Sequence, residues 1–228
     1  MNMSLIIISA ILYSVSAVLS VTFAFLIINM LYISKKFTKE RDFHFYNDLF
    51  SWEMFYFFIA AENVVKIFSL FLSANTQISD LLFRIRILIL FFPFWNKIIH
   101  LEKVMDKITY ERHYFAGMIP LIMVLLLGFT ALPNFVLILI FFGTSFLPFL
   151  FFVIFLKNSN STKGKTPKII IGAIFIIMGC ILRPEILSGF PVITGILNSF
   201  IILTNVIAPT SLIIGVLLIF NSFRSEIK

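Results

Sequence analysis

Glu62, Asn63 and Lys66 share one face of a helical turn inside a strongly apolar stretch, and Arg84, Arg86, Arg183 and Glu185 also interrupt apolar runs. In a lipid medium such charges are costly; they face the protein interior or water and mark ion, proton or ligand sites. Glu62 and Lys66 stand at i and i+4, a spacing that favours an ion pair. Two chemistries fit. In one, the pair joins an arginine, neutralises itself and locks helices together. In the other, the cluster lines an outward-facing polar cavity, where the cations meet an anionic group and Glu62 meets a cation or a proton. Arg84 and Arg86 are roughly 200° apart around a helix, so both cannot face inward; the other is expected to snorkel toward the headgroups. Thr194, Asn198 and Asn205 form a polar stripe with Pro209 just beyond it. Asparagines so placed hydrogen-bond neighbouring helices or line the same cavity. The candidate ligand-binding set is therefore Glu62, Asn63, Lys66, Arg84, Arg86, Arg183, Glu185, Asn198 and Asn205.

Other chemistries lack their residues. The histidines are His44, His100 and His113, with acidic neighbours such as Asp48, Glu102, Asp106 and Glu111, but no H-E-x-x-H spacing joins them; they read as parts of solvated loops and not as a zinc site. There is no G-x-S-x-G elbow, phosphate-binding loop or dinucleotide glycine pattern, so no catalytic residue, metal or cofactor is expected and the chain is not read as an enzyme. Retinal requires a lysine in the last helix, and none lies between Pro191 and Phe220. Cys180 is the single cysteine; it forms no intramolecular disulfide and reads as a packing residue.

These residues must be positioned by membrane helices. The chain is 60% hydrophobic and 13% charged, with a mean hydropathy of +1.05, outside the range of a soluble domain. A helix needs about 20 apolar residues to cross the hydrocarbon core. Such runs occur near Leu5 to Ile33, Leu49 to Ser73, Leu81 to Lys103, Tyr114 to Leu132, Phe135 to Leu156, Ile169 to Leu187 and Pro191 to Phe220. None alternates with the period of a barrel strand. The expectation is an all-α, polytopic seven-transmembrane-helix bundle forming one domain over residues 1–228.

The charge distribution orients it. Lys35, Lys36, Lys39 and Arg41 follow the first run; Lys97, Lys103, Lys107 and Arg112 surround the third joint; Lys157, Lys163, Lys165 and Lys168 fill the fifth; Arg224 and Lys228 end the chain. The intervening joints have no Lys or Arg. By the positive-inside rule the N-terminus is expected outside and the C-terminus in the cytoplasm, with the plasma membrane as location. The net charge of +7 thus reads as a topogenic signal and a contact with anionic lipid, not as a nucleic-acid footprint. The sequon Asn160-Ser161-Thr162 then lies on the cytoplasmic side and stays unmodified. Ser14-Val15-Ser16-Ala17-Val18 offers small residues to signal peptidase, but no positive segment precedes the run and Lys35-Lys36 stops it only at its end, so an uncleaved helix is expected. Pro93, Pro120, Pro148, Pro184 and Pro209 fall within five of the runs and provide kinks or hinges. Charge concentrated in the first three runs argues against a symmetric inverted repeat.

The run Trp52 through Glu62, a short outer turn, then Phe83-Arg84-Ile85-Arg86 followed by Pro93 and a basic joint, resembles the seven-helix membrane sensor region of microbial histidine kinases and diguanylate cyclases. That resemblance implies signal reception across a membrane. No kinase, cyclase or coiled-coil output is present in residues 1–228, so signalling is expected through a separate cytoplasmic protein. The chain thus reads as a receptor- or sensor-like protein responding to a small polar or anionic ligand from outside. The alternatives are a small-solute or proton-coupled transporter, in which Glu62 titrates, and a structural or assembly subunit whose polar residues only hold helices together.

Overall fold

The computed structural model describes residues 3–37, 48–72, 76–109, 118, 122, 134–141, 143, 166–183 and 191–223. Its elements are α1 (Met3–Phe37), α2 (Asp48–Phe71), α3 (Thr76–Thr109), α4 (Asn134–Phe141), α5 (Thr166–Ile181) and α6 (Pro191–Phe223). The described residues are all-α and contain no strand. Of the expected runs, Tyr114 to Leu132 lies outside the described residues except for Met118 and Ile122, Phe135 to Leu156 is described chiefly at its start, and the sixth is described as far as Arg183.

Helices α1 and α3 extend past the apolar runs that announce them. The third run ends at Lys103, but α3 continues to Thr109 through Asp106 and Lys107. Hydropathy marks only the portion suited to lipid, whereas unbranched residues such as Met105 and Lys107 remain good helix formers and carry the helix past Asp106. Pro191 opens α6, where its missing N–H costs no hydrogen bond. Helical structure runs on through Pro93 in α3 and Pro209 in α6.

Among the described residues three helices are long and apolar enough to cross a membrane: Met3–Met30, Trp52–Phe71 and Thr204–Ser222, with mean hydropathies of 2.3, 1.5 and 1.7. Helix α3 has 34 residues, but Asp80, Arg84 and Arg86 near its start and Lys97, Glu102 and Lys103 further on break up its apolar stretch. Large apolar side chains cover the outside. Ile11, Val18 and Phe25 on α1, Phe68 on α2, Ile171 and Ile174 on α5 and Leu217 on α6 are all exposed, while Glu62, Lys66, Arg86 and Arg183 are buried. Apolar outside with charge inside is the arrangement of a membrane protein, since a soluble fold rarely exposes large contiguous apolar patches.

Helix directions follow from the contacts. Ser16 meets Asn63, Tyr13 meets Lys66 and Phe23 meets Tyr56, so α1 and α2 run antiparallel. Glu62 meets Arg86 and Phe58 stacks on Phe92, so α3 is antiparallel to α2. Gly172 abuts Gly215 and Ile219, and Gly179 abuts Ala208 and Leu212, so α5 and α6 are antiparallel. Arg183 lies beside Tyr13 whereas Phe220 stacks on Phe23 at 3.9 Å, which sets α6 parallel to α1. The spatial order is α5, α6, α1, α2, α3, with α4 against α3.

Small residues allow the α5–α6 contact. A Cβ at Gly179 would stand 2.8 Å from the Ala208 carbonyl oxygen, and one at Gly215 would stand 2.7 Å from that of Gly172. Close backbone approach through small residues is how membrane helices gain van der Waals contact without a hydrophobic drive between them. At the other seam Phe23, Tyr56 and Phe220 form an aromatic layer, and the Tyr56 hydroxyl donates to the Val216 carbonyl at 3.4 Å.

Candidate functional site

Trp52, Phe55, Tyr56 and Ile59 make a buried stripe along α2 at steps of three, one and three, the spacing of one helix face. Glu62, Asn63 and Lys66 continue that stripe and so point into the bundle, at 1%, 0% and 1% exposure, whereas Ala61 and Val64 face outward. The same packing that hides the aromatic residues thus carries the charges inside.

Two arginines from other elements converge on the Glu62 carboxylate. Arg86 of α3 donates its Nε to Oε1 at 2.9 Å. Arg183, just beyond the last turn of α5, donates Nη2 to Oε2 at 2.8 Å and Nη1 to Oε1. The second pairing is the two-pronged fit of a planar guanidinium to a carboxylate, which a lysine cannot reproduce. Arg183 Nε donates at 3.2 Å to the Gly179 carbonyl, one of the final acceptors of α5. Arg86 and Arg183 are 3% and 2% exposed.

Helix α1 closes the cluster. The Tyr13 ring centroid lies 5.9 Å from Lys66 Nζ and 5.6 Å from Arg183 Cζ, within reach of cation–π attraction. One turn further along α1, Ser16 Oγ accepts from Asn63 Nδ2 at 2.9 Å. Among the described residues the cluster holds one carboxylate, two guanidinium groups and one ammonium group.

The structure brings together Glu62, Asn63, Lys66, Arg86 and Arg183. It separates Arg84, which pairs with Asp80 at 3.0 Å on the outer side of α3 and is partly exposed. Helical geometry requires one of Arg84 and Arg86 to face away, and Arg86 is the one inside. Asn205 is buried on α6, Asn198 lies within α6, and Glu185 lies outside the described residues. Spacing in the sequence points from Glu62 to its local neighbour Lys66, whereas the arginines on the carboxylate come from 24 and 121 residues away. Tyr13 and Ser16 are the site residues that sequence reasoning missed. The available signal was the recurrence of Ser9, Tyr13, Ser16 and Ser20 at helical spacing in an otherwise apolar run.

Among the described residues the charged side chains of the cluster are buried. A groove of about 640 Å³ between α1 and α2 is apolar, lined by Ile7, Ile11, Val15, Ile67 and Phe71 among others, and includes none of the charged residues. The arrangement holds charge in fixed positions. No protein-family model, curated protein or solved structure matches the chain.

Proposed function

We propose that the chain is a receptor- or sensor-like integral membrane protein that crosses the plasma membrane seven times with its N-terminus outside. It responds to a small polar or anionic ligand and signals through a separate cytoplasmic partner. The observation that carries this reading is the fully buried carboxylate of Glu62, held by arginines from two other elements. Replacing a buried ion pair by apolar residues is often neutral or stabilising, so such a cluster is poor glue and a good candidate for a switch. A ligand group that competes with Glu62 for a guanidinium would loosen α3 or α5 from α2. It shifts the equilibrium only by its differential affinity for the two states.

Helix directions support the topology. The ends of α1, α3 and α6 and the starts of α2 and α5 fall at one end of the bundle, and the Lys- and Arg-rich stretches adjoin these ends. That α3 ends and α5 begins on the same side is compatible with the proposed count, in which the chain between them contributes two of the seven crossings.

The test is ligand-dependent thermal stability of the purified protein against small anions, amines and metabolites, with Glu62→Gln and Arg86→Ala in parallel. A stabilising compound whose effect either variant abolishes supports the reading. No hit, with both variants merely less stable, refutes it in favour of a structural subunit. The central carboxylate also favours a second reading, a proton-coupled transporter; sustained uptake of the hit compound into proteoliposomes would replace the receptor with the carrier.

A further inference from the structure

Ser9, Tyr13, Ser16 and Ser20 follow one another at steps of four, three and four, which places them on one face of α1. All four are buried, at 1%, 1%, 0% and 0% exposure. Ser16 fixes the direction of this face, since it accepts from Asn63 of α2. Three side-chain atoms here have no hydrogen-bond partner among the described residues: Ser9 Oγ, Ser20 Oγ and Asn63 Oδ1.

A helical serine or threonine can satisfy itself by donating to the carbonyl four residues back. Ser14 does so to Ala10 and Thr22 to Val18, each at 2.8 Å. Ser9 and Ser20 do not, although buried polar groups are nearly always satisfied. Among the described residues the unpartnered atoms bracket the charged cluster and recur along a single seam.

We infer that the α1–α2 seam binds a file of water molecules anchored on Ser9, Asn63 Oδ1 and Ser20 and passing Tyr13 beside the Glu62 cluster. The chemistry selects water because the anchors include both hydroxyls, which donate and accept, and an amide oxygen, which only accepts. Spacing selects several molecules instead of one: at about 1.5 Å per residue, Ser9 and Ser16 are roughly 10 Å apart along the axis, and Ser16 and Ser20 roughly 6 Å. A buried water typically makes about three hydrogen bonds to such groups. The file gives the cluster a hydrated route along roughly 16 Å of α1. It stands on the unpartnered atoms and holds whether the protein is a receptor or a carrier.

Radiolytic footprinting of the full chain in lipid nanodiscs tests it, because X-rays convert bound water into hydroxyl radicals that oxidise adjacent side chains. Tyr13 and Tyr56 are equally inaccessible, at 1% and 0% exposure, but only Tyr13 lies on the proposed file. Tyr13 is expected to be oxidised several-fold faster than Tyr56, with Ser9→Ala and Ser20→Ala each reducing that rate while Tyr56 stays unchanged. Equal protection of both tyrosines would overturn the inference. So would Tyr13 oxidation that survives both substitutions, or Ser→Ala variants that melt higher than the parent, as removal of a dry, unsatisfied hydroxyl requires.

Discussion

Replacing Glu62 with glutamine keeps the shape of the side chain and removes its charge. Arg86 and Arg183 would then remain 3% and 2% exposed without the carboxylate that both contact. Of the two oxygens that accept from three guanidinium nitrogens, one becomes an amide group that presents its own protons to a donor. Breaking a buried pair by removing one partner costs about 3–5 kcal/mol. At about 2–4 °C per kcal/mol for a chain of this size, the unfolding midpoint should fall by roughly 6–20 °C. Cys180 supplies the assay: it is the only cysteine and is 8% exposed, so a thiol-reactive fluorophore reports the fraction of molecules that have opened. Most of the loss comes from stranded arginines, so Glu62→Leu combined with Arg86→Leu and Arg183→Leu should recover much of it. A Glu62→Gln midpoint within about 1–2 °C of the parent would refute the assignment of a desolvated ion cluster. A triple variant far less stable than Glu62→Gln would refute the view that the cluster is poor glue.

Arg84→Ala should change stability by less than about 1 kcal/mol because its partner Asp80 is half-exposed, whereas Arg86→Ala should cost about 3–5 kcal/mol; equal effects in the Cys180 assay would contradict the placement of the two arginines. Gly215→Ala and Gly179→Ala should each cost about 1–3 kcal/mol by overpacking, while Gly143→Ala, with nothing within 4 Å of its added methyl, should be neutral or better in thermal unfolding. In a Cys180→Ala background, Asn2→Cys should react with a membrane-impermeant maleimide on intact cells and Ser225→Cys only after permeabilisation; the opposite pattern would reverse the proposed orientation.

The membrane character was legible because lipid demands long apolar helices, and α1, α2 and α6 each contain most of the run that announces them. The ends of α3 were less legible, since Met105 and Lys107 favour a helix on propensity while Asp106 and Lys107 suit a loop on hydropathy. At the site, Glu62 and Arg183 stood out as charges in apolar surroundings. Their partnership did not, because spacing along one helix says which residues share a face and nothing about which face meets a residue 121 positions away. For Arg84 and Arg86, helical geometry required one to turn outward, and only packing against α2 decides which. Tyr13 was overlooked for the opposite reason, as an aromatic residue in an apolar run carries no charge to draw notice.

The sequence separations within the cluster also impose an order on how the protein is made. Glu62 reaches the ribosome exit long before Arg183, 121 residues later, and Arg86 follows it by only 24 residues. At about 5–20 residues per second, roughly 6 to 24 s of synthesis separate Glu62 from its distant arginine. During that interval the nascent α2–α3 hairpin can shield the acidic side chain with Arg86 alone. Arrival of Arg183 then completes the charge pairing and begins to join the late half of the chain to the early half, before the later-made Val216 carbonyl can accept from Tyr56 and seat α6 beside α1 and α2.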